Sequence, residues 1–233
     1  MMTLVLSALL SLGIMAGTVW AAEGWTQEGS SWVYYDSDGR KVTNTWRKGA
    51  DNLWRYLDGS GNMALNSWVD DEYYVDSNGI MVTDQWQKIA VNDSRISSTG
   101  YAWYYLGSSG KMISDTWKKI NDKWYLFDND GVMQTGWLYN GGAWYYLYDW
   151  GGMANSGWVQ VGNTWYYMRG NGEMATGWLQ QGSTWYYLKD SGAMATGWNW
   201  IGSKCYYFYG SGKMAANTTV GGYKLDASGA WAQ

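Results

Sequence analysis

Polar and apolar positions repeat along most of this chain with a period near twenty residues. In GWLQQGSTWYYLKDSGAMAT, 177–196, the run TWYYL is β-branched and aromatic, as strands prefer, and GWLQ is a suitable short partner. The same order stands one period earlier in GWVQVGNTWYYMRGNGEMAT, 157–176. The first Trp of each unit falls at Trp25, Trp46, Trp68, Trp86, Trp117, Trp137, Trp158, Trp178 and Trp198, which gives nine units. The spacing breaks once, between Trp86 and Trp117, at the polar segment IAVNDSRISSTG, 89–100, which is expected to protrude as a surface loop. Residues 218–233 carry a shortened variant of the unit and are expected to form a C-terminal capping half-repeat.

Gln181-Gly182 and its equivalents read as two-residue hairpin turns with Gly in the second place. That register sets Trp178 directly opposite Trp185, with Cβ atoms about 5 Å apart on one face. The same W-x6-W spacing pairs Trp25 with Trp32, Trp117 with Trp124, Trp137 with Trp144 and Trp158 with Trp165. Strand alternation then puts Tyr187 on the Trp face, and Tyr186 with Leu188 on the other, which reads as core. A lone hairpin cannot bury two apolar faces, so the hairpins are expected to stack into an all-β solenoid. Asp190 to Met194 reads as the crossing to the next hairpin, and its Gly192 is matched by a glycine in every unit, Gly152 in the sixth.

Composition sharpens the question of what the rings are for. The chain holds 20 Trp and 21 Tyr against only 2 Phe, so rings with a polar edge are chosen over plain core filler. Trp has the face that best attracts cations, and two opposed Trp, a Tyr from the next hairpin and a Met make a box suited to quaternary ammonium. Sixteen basic residues against twenty acidic ones, with no basic run, argue against nucleic acid and anionic membrane surfaces. The absence of His and of any nucleophile motif argues against an enzyme. Asp36-Ser37-Asp38-Gly39 and Asp128-Asn129-Asp130-Gly131 resemble the start of a calcium loop but lack its closing Glu, so both read as turns. Nothing in the sequence asks for a metal or a cofactor. Cys205, the one cysteine, excludes an intrachain disulfide and reads as a small buried hydrophobe. Residues 3–21 read as a secretory signal cleaved before Ala22, and no other stretch is long and apolar enough to span a bilayer.

The unit GW-x6-WYY-x4-G-x-M-x-TGW, repeated from residue 24 to about 231, resembles the choline-binding, or cell-wall-binding, repeats of Gram-positive surface proteins. The resemblance implies a β-hairpin solenoid over 22–217 with choline held between consecutive hairpins by two Trp of one and a Tyr of the next. It implies choline-bearing teichoic or lipoteichoic acid as partner, and a secreted protein lodged on the cell wall. Carried over unit by unit, it gives cages of Trp117, Trp124 and Tyr146; of Trp137, Trp144 and Tyr167; of Trp158, Trp165 and Tyr187; and of Trp178, Trp185 and Tyr207. Two more are Trp25, Trp32 and Tyr56, and Trp46, Trp54 and Tyr74, with Met133, Met153, Met174 and Met194 as further lining. Three junctions depart from the pattern and are expected to bind poorly: Glu72 replaces the second Trp of the third unit, Leu126 stands where the Tyr after Trp86 and Trp103 belongs, and Cys205 replaces a Trp in the ninth. A repeat that stacks carbohydrate, such as an α-glucan, uses the same rings and is the alternative reading. A wall-attachment fragment of a larger peptidoglycan hydrolase or adhesin is another.

Overall fold

A computed structural model describes residues 22–91 and 100–232; the expected signal and most of the 89–100 loop lie outside them. Among the described residues, ten two-stranded sheets follow one another in chain order, each a hairpin. Hairpins 1 to 5 have their strands at 24–28 and 31–35, 45–48 and 54–57, 67–69 and 73–75, 85–90 and 101–106, and 116–120 and 123–127. Hairpins 6 to 10 use 136–140 and 143–147, 157–161 and 164–168, 177–181 and 184–188, 197–201 and 204–208, and 218–220 and 223–225. The expected cap thus contains a tenth, shorter hairpin, and Ile89 and Ala90 extend a strand rather than begin the loop. No helix among the described residues is long and apolar enough to cross a membrane.

Contacts divide the chain into two compact units. Among the described residues, the first holds 22–85 with 106–112, and the second holds 86–91, 100–105 and 113–232. Both are built by the same local rules.

The hairpin register differs from the sequence expectation by one position in the turn. In hairpin 8 the turn is Gly182-Ser183, flanked by the pair Gln181 and Thr184, so Trp178 faces Tyr187 and Trp185 faces Gln180. The physical reason is where the left-handed residue sits: Gly182 has φ +60° in the first turn position, the arrangement of a primed turn that begins with Gly. Trp178 and Trp185 still share a face, but they meet on the diagonal, which large rings can bridge.

The last residue of the second strand is fully buried in hairpins 2 to 10: Leu57, Val75 and Leu106 in the first unit, and Phe127, Leu147, Met168, Leu188, Phe208 and Leu225 in the second; in hairpin 1 the buried residue is Val33, in mid-strand. Each buried side chain of this size contributes about 1.5–3 kcal/mol. Cys205 is 8% exposed, a small buried hydrophobe as its sequence context suggests.

Two contacts lock successive repeats. The amide of the Met that follows a hairpin donates to a carbonyl of the preceding hairpin: Met194 to Trp165 and Met214 to Trp185, both at 2.8 Å. The side chain of that Met then lies against the left-handed glycine of the next crossing, so that a Cβ on Gly192 would meet the Met174 sulfur at 2.1 Å. In the sixth repeat this glycine is Gly151, φ +86°, and not Gly152, because it is the residue two before the Met that turns. The Asp-rich crossings are turns: Asp128 Oδ1 accepts from the amides of Asp130 (3.1 Å) and Val132 (2.8 Å), and Asp36 does the same for Asp38 and Arg40.

Candidate functional site

Alternation sends the two tyrosines of WYY to opposite faces, and this decides which one completes a cage. The second shares a face with its own tryptophans: Tyr187 lies 5.2 Å from Trp178 and Tyr146 lies 5.1 Å from Trp137. Only the first looks back at the preceding hairpin. Trp117 therefore meets Tyr145 (5.2 Å), Trp137 meets Tyr166 (4.7 Å), Trp158 meets Tyr186 (5.0 Å) and Trp178 meets Tyr206 (4.9 Å). The sequence reading named Tyr146, Tyr167, Tyr187 and Tyr207 for these walls, one residue too late; each stands behind its own Trp instead. Tyr186, expected to be core, instead faces Trp158 of the preceding hairpin.

The tryptophan pairs converge nearly at right angles: Trp137 with Trp144 at 6.4 Å and 83°, and Trp178 with Trp185 at 6.1 Å and 86°. Trp178, Trp185, Tyr206, Met214 and Ser228 line a pocket of about 320 Å³. The Met comes from the crossing whose amide donates to the second Trp, which assigns Met153, Met174 and Met194 to the cages of hairpins 5, 6 and 7. Met214, absent from the sequence expectation, completes that of hairpin 8. Trp103, Trp124, Trp144, Trp165 and Trp185 remain 38–44% exposed, so the boxes open to solvent.

The junction of hairpins 4 and 5, expected to bind poorly because of Leu126, instead presents Tyr125 to Trp86 at 4.9 Å. Trp86 and Trp103 meet at 6.4 Å and 82°, and Met133 donates its amide to the Trp103 carbonyl at 2.9 Å. The set is complete. At hairpin 9 the loss of Trp at Cys205 is real, and Trp198 meets Tyr223 (5.5 Å), which in turn meets Trp231 (5.3 Å) in the place of the usual Met.

The first unit differs in charge. Trp46 meets Tyr73 at 5.5 Å rather than Tyr74, and Met81 donates to the Trp54 carbonyl. Yet Lys48 Nζ lies 5.0 Å from the Trp54 ring centre and Lys111 Nζ lies 5.9 Å from that of Tyr73. Lys111 also pairs with Glu72 at 2.6 Å. In hairpin 2 the position of the back-facing Tyr is held by Arg55, which grips Asp51 at 2.7 Å and holds its carboxyl at a pKa of about 2. Trp25, Trp32 and Tyr56 therefore do not form the expected box; Tyr56 lies 5.2 Å from Trp46 in its own hairpin.

Comparison with known proteins fits this geometry. Choline-binding repeat models match residues 22–68, 114–158 and 155–196, and a second such model matches 62–87 and 199–231; a putative cell wall binding repeat matches 99–112. Among solved structures, choline binding protein F from Streptococcus pneumoniae is 31% identical over 91% of this chain and 93% of its own, with a TM-score of 0.55. The choline-binding domain of CbpL from Streptococcus pneumoniae is 34% identical over 82% of this chain and 98% of its own, with a TM-score of 0.60. A CbpF structure in complex with ipratropium is 41% identical over 87% of this chain, which spans 63% of it, with a TM-score of 0.60. Glucosyltransferase-S of Streptococcus mutans is 41% identical over 73 residues, 29% of this chain and 5% of that protein. The repeats, their fold and their matches together place this chain in the choline-binding repeat family.

Proposed function

We propose that the chain is a non-catalytic wall-attachment module whose cages take the choline of teichoic or lipoteichoic acid at the cell surface. The observation that carries this is the recurring set of two Trp on one face, a back-facing Tyr and a Met, with no charged side chain among the box residues of hairpins 5 to 8 and with the Trp pair near-perpendicular in hairpins 6 and 8. Converging faces suit a compact cation, whereas a sugar ring asks for one flat platform. At about 1 kcal/mol per ring plus methyl burial, a single box reaches roughly −4 kcal/mol, a dissociation constant near millimolar. A polymer bearing many cholines engages several boxes, and each later contact is intramolecular, which gains on the order of 10²-fold or more. The export of the chain and the absence of hydrolytic activity belong to the same proposal.

Millimolar choline chloride is expected to shift Trp fluorescence and raise the melting temperature, because a ligand of the folded state stabilises it by mass action. Glucose and soluble dextran at equal concentration are expected to do neither. A dextran response without a choline response would replace this reading by the carbohydrate one.

A further inference from the structure

The cage of hairpin 8 draws on a third repeat. Ser228, which lines the pocket of Trp178, Trp185, Tyr206 and Met214, lies in the crossing that follows hairpin 10, beside the glycine that abuts Met214. In the cages of hairpins 5, 6 and 7 the corresponding positions, each just before the glycine that abuts the cage Met, are Asn171, Ser191 and Ser211. All are small and polar. In the cage of hairpins 4 and 5 the position is Trp150.

Three observations place the Trp150 ring at that cage. Its neighbour Gly151 abuts Met133, as Gly229 abuts Met214. Its ring meets the cage tyrosine, Tyr125, at 6.1 Å and 73°. It is held there, stacked on Tyr148 at 5.5 Å and 13°, and it folds over Gly152, where a Cβ would come within 1.7 Å of the ring. Even so, Trp150 stays 52% exposed, which core packing does not explain.

We infer that Trp150 makes the cage of Trp86, Trp103, Tyr125 and Met133 a four-ring box with the highest affinity for a compact quaternary ammonium in the array. This rests on reading the cages as quaternary-ammonium sites. The cage is filled where its counterparts are open, so one more ring faces the cation and more methyl surface leaves water. One added ring strengthens that box by about five-fold, the effect expected for a partly exposed cation–π contact.

The test uses the full chain labelled with fluorotryptophan and titrated with choline chloride, with the Trp103 fluorine resonance assigned through Trp103→Phe. The Trp103 signal is expected to saturate at lower choline than that of Trp165. Trp150→Ser is expected to weaken the Trp103 response about five-fold while leaving Trp165 unchanged, and Trp150→Phe to retain most of the affinity. In a Trp103→Ala background, calorimetry should show no further loss on adding Trp150→Ser. Melting curves without choline confirm that each variant is folded, and an unfolded Trp150→Ser leaves Trp150→Phe and the parent's ranking of Trp103 over Trp165 to decide. If Trp165 responds to choline but Trp103 does so no more tightly, or if Trp150→Ser binds equally or better, this inference fails and the wall-attachment reading stands. No response at any Trp overturns both.

Discussion

The two units are built on one hairpin and carry different sites. In hairpin 8, Gln180 stands opposite the second tryptophan, Trp185; in hairpin 2, Lys48 stands opposite Trp54 and lays its ammonium over the ring. Where hairpin 9 presents Tyr206 to Trp178, hairpin 2 carries Arg55 at the equivalent position, tied to Asp51. On the proposed reading, the Lys48 ammonium occupies the Trp54 face that a ligand cation needs, and its charge repels the ligand as well. The residue facing the rings, and not the rings alone, is then expected to decide whether a site is open.

Stability is the property in which the units should agree. Leu57→Ala and Leu188→Ala both empty a fully buried strand end, and each is expected to cost about 2–5 kcal/mol in chemical unfolding. A cost below 1 kcal/mol in either unit would show that its core is not the common one.

Binding is where they should part. Trp165→Ala removes a wall of an open cage and is expected to weaken that site at least about ten-fold, taking roughly 1–2 kcal/mol for the ring and its methyl contacts, so that calorimetry at millimolar choline counts one site fewer. Trp54→Ala is expected to leave the count unchanged. Equal losses would erase the distinction between the units.

A smaller effect sharpens the cause. Lys48→Gln installs the residue that hairpins 7 and 8 use at this position and is expected to open the cage of Trp46, Trp54 and Tyr73, raising its affinity several-fold. Lys119 tests the same idea in reverse: it too faces a tryptophan, Trp124, but is drawn aside to Asp122 at 2.9 Å, so Lys119→Gln should change little. Fluorescence titration of both variants reads the difference.

The smallest effect is in pH. The open cages are walled by Trp, Tyr and Met with no carboxylate or imidazole among them, and burial pushes the Tyr125 hydroxyl above its ordinary range, so choline affinity there is expected to be flat between pH 5 and 9. In the first unit Asp51 has its pKa lowered from 3.8 to about 2 by Arg55, so its contribution is present above the unfolded value and is lost as pH falls from about 4 through 2. Asp51 is 41% exposed, so the loss in melting temperature is small; Asp51→Asn should flatten it.

Much of this was legible in the sequence. The period, the hairpins, the shared face of each Trp pair and the turns at Asp36 and Asp128 follow from local patterns. Two things did not. A turn of Q-G-S type admits its glycine in either central place, and only the backbone shows that Gly182 comes first. The choice between two adjacent tyrosines depends on which face of a hairpin meets its predecessor, which is a tertiary fact; the alternation that put Tyr187 with its own tryptophans already barred it from the preceding cage. Trp150 left a weaker signal, a large ring where Ser, Asn or Asp stands in other repeats.

A pocket built from three successive repeats, as that of hairpin 8 is, makes the ends of an array costly. In the second unit seven hairpins yield five boxes of the full Trp-Trp-Tyr-Met pattern, because the last two serve mainly to finish the sites of those before them. Removing the crossing with Ser228 and Gly229 would damage a box whose tryptophans lie more than forty residues upstream. On the proposed wall-attachment reading, grip then depends on uninterrupted length: splitting the run in two is expected to forfeit sites at the cut although every repeat survives, as a box like that of hairpin 8 becomes complete only after two further hairpins have been folded onto it.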